Sequence, residues 1–484
     1  MWTKPYGMKE GFLLGGGLVF AGLMLELTVG QVVWDAFSWP ANGIVLAFFL
    51  ILIGLMHLLR KKIYAFRFLS TYSAAVPAII WAVMLTIVMG LTRQTVNGAW
   101  LNNMLTFWPF VLIYVYMTLI LGLFVLKHTS QFSLHTPHPT LHDSHSSLLT
   151  PHSTLFFHLG LFIALTTATL GSADMQRLKM ITSVGETEWR AMAQGGEIKE
   201  LPVAIELKKF IMESYENGSP KRFASEIQVL TQSGKNIHTT IDVNKPFEVD
   251  GWKIYQYGYD TQRGAQSQIS ILEFVRDPWL PVVYIGIFMM LIGAFLQIIF
   301  NIPLRKIVKI ARSHPKRAMA FGALMIVVFF CIHHFMPILH SDTLVPALQS
   351  PWFVPHIIAY MIAYTLMGVA ALMAIYHLVK RGEIDVEDTL VYIGIGFITI
   401  GMLFGALWAK EAWGHYWSWD PKETWAAITW FAYLGYIHYR RFPKHNQRIA
   451  LCTLLVAFAL LQMCWWGIRF LPSAQNASVH IYAV

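Results

Sequence analysis

Eleven apolar runs, each about as long as a membrane-spanning helix, set the first limit on how this chain can fold. A bilayer core needs roughly 20 apolar residues per helical span. The predicted spans are residues 11–31, 42–59, 71–91, 106–126, 155–172, 279–300, 319–338, 354–379, 389–408, 424–440 and 449–470. With 56% hydrophobic and only 13% charged residues, the chain is predicted to be an all-α polytopic membrane protein, with about eleven transmembrane helices.

The net charge of +9 comes largely from short clusters of Lys and Arg between the apolar runs. This is the pattern of the positive-inside rule, so it does not indicate nucleic acid as a partner. A cytoplasmic N-terminus places the clusters at 60–62, 305–317, 380–381 and 440–448 on the cytoplasmic side together. The first apolar run has no small-residue cleavage site after it, and we expect a retained first helix.

The same topology places one long polar stretch, residues 173–278, outside the cytoplasm. Runs such as Ser225–Leu230 and Trp252–Tyr257 alternate between apolar and polar residues, as half-buried strands do, and Gly and Asn residues separate them. The chain is therefore predicted to carry one small β-rich extracytoplasmic domain.

Two features that suggest metal or thiol chemistry do not support it here. The loop 128–153 is rich in Ser, Thr and Pro and carries His128, His135, His138, His142, His145 and His152. A metal-binding tract is one interpretation, but the spacing fits no fixed coordination geometry, and a disordered cytosolic linker with incidental histidines is preferred. The three cysteines lie within apolar segments without any Cys-x-x-Cys pair, so neither disulfides nor a thiol-redox site is expected.

The segment from Trp413 to Trp425, predicted to lie outside, is unusually rich in Trp. Five Trp residues fall within eighteen positions, at 413, 417, 419, 425 and 430, mixed with Asp420, Lys422 and Glu423. Trp prefers the membrane–water interface, so a dense interfacial belt is one interpretation. The alternative is a platform for a large flat apolar ligand with polar edges. Asp420 followed by Pro421 also reads as the start of a helix, and this structural role is expected to dominate over ligand contacts.

The Trp-rich segment resembles the "WWD" signature of haem-handling proteins of the CcsA/CcmF cytochrome c assembly type. Residues 319–484 as a whole resemble CcsA, with the Trp-rich motif at 413–425. Residues 155–300 resemble its partner, the ResB/CcsB type, on the strength of four pieces of sequence: 156–162, 243–246, 251–256 and 276–279. The chain thus resembles a cytochrome c biogenesis fusion of the CcsBA type. N-terminal helices and the His-rich linker would occupy 1–154, and a basic cytosolic linker 301–318; residues 1–60 have no firm counterpart.

The resemblance implies haem b as the cofactor and histidines as ligands of the haem iron, since imidazole serves ferrous and ferric iron alike. His356 and His480 bracket the Trp-rich segment in sequence, and topology places both at the outer face. They are predicted to hold haem there over a platform of Trp413, Trp417, Trp419 and Trp425, with Asp420 beside it. An interfacial histidine that only reaches toward water is the alternative for each. His415, inside the segment, could contact a haem propionate or the iron, but a solvated loop residue is the preferred interpretation.

A second pair is predicted in the inner leaflet. His158 and His438 fall at comparable depth, one in each of the two resembled halves, and the family has such a transmembrane pair. His57, at the cytoplasmic end of another span, is the rival to His158. The sequence around His158, Phe-Phe-His-Leu, favours His158.

The function that the resemblance implies is haem export across the inner membrane and covalent attachment to apocytochrome c at Cys-x-x-Cys-His sites. This is a holocytochrome c synthase activity of the lyase class, with no catalytic residues expected beyond those that present haem. Implied partners are haem, apocytochrome c, membrane lipid and thiol-reducing proteins, with no nucleic acid. The alternatives are a haem transporter or chaperone without synthase activity, and a transporter of another solute.

Overall fold

The computed structural model describes residues 4–95, 98–134, 146–301, 312–313, 315–334, 343–380, 382 and 384–474. The α-helices in these residues are α1 (Met8–Thr28), α2 (Ala41–Leu59), α3 (Tyr64–Leu69), α4 (Tyr72–Leu91), α5 (Trp108–Leu134), α6 (Ser146–Gly171), α7 (Leu280–Asn301), α8 (Pro315–His334), α9 (Phe353–Lys380), α10 (Asp385–Trp413), α11 (Pro421–Arg440) and α12 (Gln447–Trp465).

Within the described residues, nine helices are long and apolar enough to cross a membrane: α1, α2, α4, α5, α6, α7, α9, α10 and α12. The polytopic membrane protein predicted from the apolar runs is therefore confirmed. The other two predicted spans are helical as well. The apolar part of α8 is short. Helix α11 is less apolar than the nine, and most of its residues are buried against other helices.

Helices α6 and α7 pack unusually closely because glycines line their contact. A Cβ atom added at Gly160 would lie 2.7 Å from the Gly286 carbonyl oxygen, and one at Gly286 would lie 2.6 Å from the backbone nitrogen of Ala164. Small residues at such contacts let helix backbones approach inside a membrane. The contact fixes α6, and His158 with it, against the rest of the bundle.

The N-terminal helices belong to the same bundle. Helix α4 packs on α11, where a Cβ atom at Gly90 would lie 3.0 Å from Nε1 of Trp425. Helix α2 is tied to the chain just after α6 and just before α7 through Asp174, which accepts hydrogen bonds from the Asn42 side chain and from the Trp279 indole, both at 2.7 Å. The N-terminal region can therefore contribute to a site between the two resembled halves.

Between α6 and α7 the chain forms one antiparallel sheet of eight strands in the order β5-β4-β3-β2-β1-β8-β7-β6. The strands are β1 (Gln176–Ser183), β2 (Thr187–Ala193), β3 (Ile198–Ser214), β4 (Pro220–Thr231), β5 (Asn236–Asp242), β6 (Phe247–Val249), β7 (Trp252–Tyr259) and β8 (Ile269–Arg276). We call this unit the β-domain. Both segments predicted to be strands fall in it, within β4 and β7, so the predicted β-rich domain is confirmed.

The sheet curls so that strands far apart in its order touch. Ser225 on β4 donates its hydroxyl to the Gln256 side chain on β7 and contacts the hydroxyl of Ser270 on β8, each at 2.6 Å. Around this polar link lies an apolar core that includes Ile205, Leu207, Ile227, Ile254 and Phe274, all fully buried. The β-domain thus has a core of its own and rests on one end of the helix bundle; we call the other end of the bundle the far end.

Candidate functional site

A cavity of about 460 Å³ opens in the bundle where three parts of the chain meet. Its wall is formed by α4 and α5 from the N-terminal region, by α6 and α7, and by α10 and α11. The volume falls in the range of small-molecule and cofactor sites, about 300–1,000 Å³. A ligand bound in this cavity would contact all three parts of the chain.

His158 and His438 both line this cavity. Nδ1 of His158 lies 2.7 Å from the Thr154 carbonyl oxygen, and Nδ1 of His438 lies 2.8 Å from that of Leu434. A carbonyl oxygen only accepts, so Nδ1 of each neutral ring carries the proton and Nε2 keeps its lone pair. Both imidazoles are therefore in the tautomer that can bind a metal through Nε2, and each ring is held by a hydrogen bond of the kind found behind metal-binding histidines.

The rival histidine lies elsewhere. His57 accepts a hydrogen bond from Arg60, with 3.0 Å between Nδ1 and Nη1, and it is not among the described residues that line the cavity. The structure thus brings His158, and not His57, to the same cavity as His438.

A third histidine of the cavity, His128, was assigned to a disordered linker, and this assignment is wrong. His128 lies on α5, which continues to Leu134, and α6 begins at Ser146, so both ends of the predicted linker are helical; residues 135–145 lie outside the described residues. Nδ1 of His128 lies 3.1 Å from the Phe124 carbonyl oxygen. The Phe124 ring contacts both His128 and His158, with ring centroids 4.0 Å and 4.5 Å apart. Helical spacing from Phe124 is the signal that would have placed His128 on a helix face.

The chemistry of the wall fits a large flat apolar ligand. Most lining residues are apolar or aromatic, and among the described residues that line the cavity none is Asp or Glu. In the described parts of the chain, no three His, Cys, Asp or Glu side chains converge as they would around a bare metal ion. Two imidazoles with available Nε2 atoms suit the two axial positions of an iron porphyrin, whose ring supplies the remaining ligands.

The predicted outer site is represented by His356, near the start of α9 at the β-domain end. Its Nδ1 donates to the Gly401 carbonyl oxygen on α10 at 2.8 Å, which again leaves Nε2 as an acceptor. The ring fits against α10 because residue 405 is glycine; a Cβ atom there would lie 2.9 Å from Nδ1 of His356. The Tyr360 ring packs edge-on below it, with centroids 4.8 Å apart.

Sequence reasoning began the Trp platform at Trp413 and missed Trp408, one and a half turns earlier on α10. The Trp408 ring lies between His356 and Trp413, with centroid distances of 5.7 Å and 5.1 Å. It is buried, and its indole donates to the Ala347 carbonyl oxygen at 2.7 Å. Trp408 therefore connects the Trp-rich segment to the candidate ligand.

The other Trp residues of the segment are not equivalent. Trp417 and Trp419 are partly buried and meet edge to face, with centroids 5.8 Å apart. Trp419 has φ of 58°, a left-handed conformation that is uncommon for a bulky residue. Trp425 and Trp430 are buried inside the bundle, at 3% and 6% exposure. The Trp425 ring packs against Gly90 on α4. Contact of Trp413, Trp417, Trp419 or Trp425 with a ligand remains a prediction.

The expectation that Asp420 begins a helix is confirmed. The Asp420 carboxylate accepts from the Glu423 backbone N–H at 2.9 Å, and the Glu423 carboxylate accepts from the Asp420 N–H at 3.3 Å. This reciprocal arrangement is a capping box, with Pro421 as the first residue of α11. His415 corrects a different expectation: it is buried, at 7% exposure, and is not a solvated loop residue.

The β-domain contacts the loops on both sides of His356, the predicted outer ligand. Gly414, in a left-handed conformation with φ of 75°, lies where a Cβ atom would be 2.9 Å from Val275 and 3.1 Å from Tyr255. Asn244 donates its side-chain amide to the Pro346 carbonyl oxygen, at 2.8 Å, ahead of α9. Burial raises the pKa of the Tyr255 phenol, which therefore stays protonated beside the loop.

His480, the other predicted outer ligand, lies outside the described residues.

Two regions of the chain match known protein families. Residues 279–474 match the family described as Cytochrome C assembly protein, and residues 149–273 match the ResB-like family. The chain joins a ResB-like region to a cytochrome c assembly region. This is the composition of the CcsBA-type fusions, and the resemblance seen in the sequence is confirmed. His158 lies in the ResB-like region and His356 and His438 in the cytochrome c assembly region, whereas His128 lies in neither.

Curated relatives resemble about a quarter to a third of the chain. The cytochrome c biogenesis protein CcsA of Chlamydomonas reinhardtii is 39% identical over 146 residues, which cover 27% of this chain and 41% of that protein. CcsA of Guillardia theta is 35% identical over 162 residues, covering 26% and 54%, and that of Prochlorococcus marinus (strain MIT 9301) is 31% identical over 186 residues, covering 31% and 60%. The chain thus spans about half the length of these relatives.

Proposed function

We propose that this protein takes up haem b in the cavity between His158 and His438, moves it across the inner membrane, and attaches it covalently to apocytochrome c. The coarser assignment, to cytochrome c assembly, follows from the family matches. The finer one rests on the site. The single observation that carries it is that His158 and His438, from regions that match two different families, line one cavity with both Nε2 atoms available.

The inner pair would hold the haem iron from its two sides, and the apolar wall would cover the faces of the porphyrin. Such binding requires the ResB-like and cytochrome c assembly regions together, which gives a physical reason for their fusion in one chain. The cavity lies toward the far end of the bundle, since His158 lies in the first half of α6 and His438 at the end of α11. We infer that this end faces the cytoplasm, where haem is made.

His356 would receive haem at the β-domain end, with His480 as the second ligand. Trp413, which is partly buried, would provide aromatic surface against which a porphyrin can lie, and the buried Trp408 between it and His356 would support that surface. The β-domain, which braces the loops on both sides of His356, would receive the apocytochrome. In this arrangement the chain's own residues bind and orient, and orientation alone accounts for much of the rate of such reactions.

The attachment step needs no acid or base from this chain. Each thiol of the Cys-x-x-Cys site adds across one vinyl group of haem b: a carbon–sulfur bond forms, and the thiol hydrogen goes to the other vinyl carbon. No electrons are exchanged, but the thiols must be reduced, which assigns a role to thiol-reducing proteins. The histidine that follows in the Cys-x-x-Cys-His site then replaces one imidazole of this protein, and the product is released.

Coexpression with an apocytochrome c, in a host that lacks any other cytochrome c maturation system, tests the proposal. Haem that stays on the apocytochrome in a denaturing gel is the expected result, and an apocytochrome with both thiols replaced by Ser is the matched control. Bis-imidazole haem on the purified protein without covalent product would leave a haem transporter or chaperone. No haem on the purified protein would favour a transporter of another solute.

A further inference from the structure

The wall of the cavity between His158 and His438 carries two positively charged side chains. Lys127 on α5 and Arg441, the residue after α11, both line it. Among the described residues, no Asp or Glu lines the cavity and neither cation forms an ion pair. Cations in an apolar wall are costly without an anionic partner, and a ligand that brings the partner is bound more tightly because of it.

Both cations are held in place by weak or neutral partners. Nζ of Lys127 donates to the Ser70 carbonyl oxygen at 3.3 Å. Nε of Arg441 donates to the Tyr392 hydroxyl at 3.0 Å, and the guanidinium lies over the Tyr392 ring, 5.3 Å from its centroid. An ammonium has three N–H donors and a guanidinium five, so each side chain keeps donors for a ligand.

Lys127 and Arg441 lie at the same end of the cavity. Lys127 directly precedes His128, and Arg441 follows His438 by three residues, so both lie at the far-end side of the cavity. The Ser70 hydroxyl at the same wall is buried without a hydrogen-bond partner among the described residues. This end of the cavity is thus the polar, donor-rich end, and the remainder is apolar and aromatic.

We propose that Lys127 and Arg441 bind the two carboxylates of the porphyrin and so fix which edge of haem faces the far end. This inference rests on the proposed function, because it takes haem as the ligand of the cavity. Haem carries both propionates on one edge and the vinyl groups away from it. With the carboxylates held by Lys127 and Arg441, the vinyl-bearing part of the ring faces the β-domain end, where thiol addition would follow.

Haem dimethyl ester tests whether Lys127 and Arg441 bind the carboxylates, since the ester keeps the iron and the ring but has no carboxylate charge. Binding of haem and of its dimethyl ester is titrated on the purified full chain in an uncharged detergent, in the His356→Ala background that removes the outer ligand. Lys127→Gln and Arg441→Gln should each weaken haem binding about ten-fold, because a hydrogen bond between charged groups is lost. Binding of the dimethyl ester should stay within about two-fold, and Lys127→Arg should restore haem binding. Lys62→Gln, which removes an exposed cation outside the cavity wall, is the matched control.

Equal losses for haem and dimethyl ester would mean that the cations only shape the cavity, and unchanged haem binding would mean that they do not touch it; either result overturns the inference. The proposed function fails by a different result. If the starting protein shows no bis-imidazole spectrum with haem or with the ester, haem is not the ligand of this cavity, and both proposals fall.

Discussion

Lys410 and Asp277 form a buried ion pair, with 3.5 Å between Nζ and Oδ2 and exposures of only 4% and 5%. Lys410 lies near the end of α10, and Asp277 lies between β8 and α7. The same Nζ donates to the Gly414 carbonyl oxygen at 3.0 Å. One ammonium group thus connects the β-domain, the bundle and the start of the Trp-rich loop.

Removing either charge alone should destabilise the protein strongly. Lys410→Met or Asp277→Asn leaves an uncompensated buried partner, which costs about 3–5 kcal/mol. We expect a lower thermal unfolding midpoint for each single variant in detergent, and partial recovery in Lys410→Met/Asp277→Leu, where no charge remains. Lys199→Met breaks a pair whose side chains are 50% and 71% exposed and should have little effect. A midpoint unchanged by the buried substitutions would show that this pair does not hold the loop.

Gly405→Ala should disturb the outer site without touching a ligand. The added Cβ atom would lie 2.9 Å from the His356 ring, so the ring must move away from the Gly401 carbonyl oxygen. The lost hydrogen bond costs about 1 kcal/mol, or roughly five-fold in outer-site haem affinity. The measurement is haem titration in a His158→Ala/His438→Ala background, where only the outer site remains. Gly54→Ala, at a position with open space, is the control, and equal affinities for the two variants would contradict the prediction.

Gly293→Ala should weaken the inner site through the backbone. A Cβ atom at Gly293 would lie 2.7 Å from the backbone nitrogen of Phe157, the neighbour of His158, so α7 must move away from α6. We expect less inner-site haem and a lower unfolding midpoint in this variant. Gly17→Ala on α1 meets nothing within 4 Å and should change neither quantity. Unchanged inner-site haem in Gly293→Ala would mean that this contact does not position His158.

Substitutions at Asp420 distinguish a role in capping α11 from a direct contact with haem. Asp420→Ala removes the cap of α11 and should cost about 1 kcal/mol of stability, whereas Asn caps a helix nearly as well as Asp. Asp420→Asn should therefore keep the unfolding midpoint of the natural protein and, if capping is its main role, outer-site haem as well. Loss of outer-site haem in Asp420→Asn, with an unchanged midpoint, would assign the carboxylate a direct ligand contact instead.

Apolar length predicted the helix positions well because a bilayer fixes the length of a span, and alternation predicted strands β4 and β7 for a similar reason. Helix ends were harder to predict. The end of α5 and the start of α6 contain Ser and Thr and resemble a linker, so the helical position of His128 was not predicted. Trp408 was missed because it lies before the Trp-rich segment and is brought to His356 by the packing of α9 on α10. Contacts between helices distant in sequence leave no local signal. The same limit applies to Lys410 and Asp277, which lie 133 positions apart.

The absorption spectrum of haem bound at the inner site tests the central claim most directly. In a His356→Ala background the purified protein should show the low-spin spectrum of bis-imidazole iron. A further His158→Ala or His438→Ala substitution should abolish this spectrum and added imidazole should restore it, while His57→Ala should leave it unchanged. A bis-imidazole spectrum that survives the loss of both His158 and His438, or that requires His57, would contradict the account.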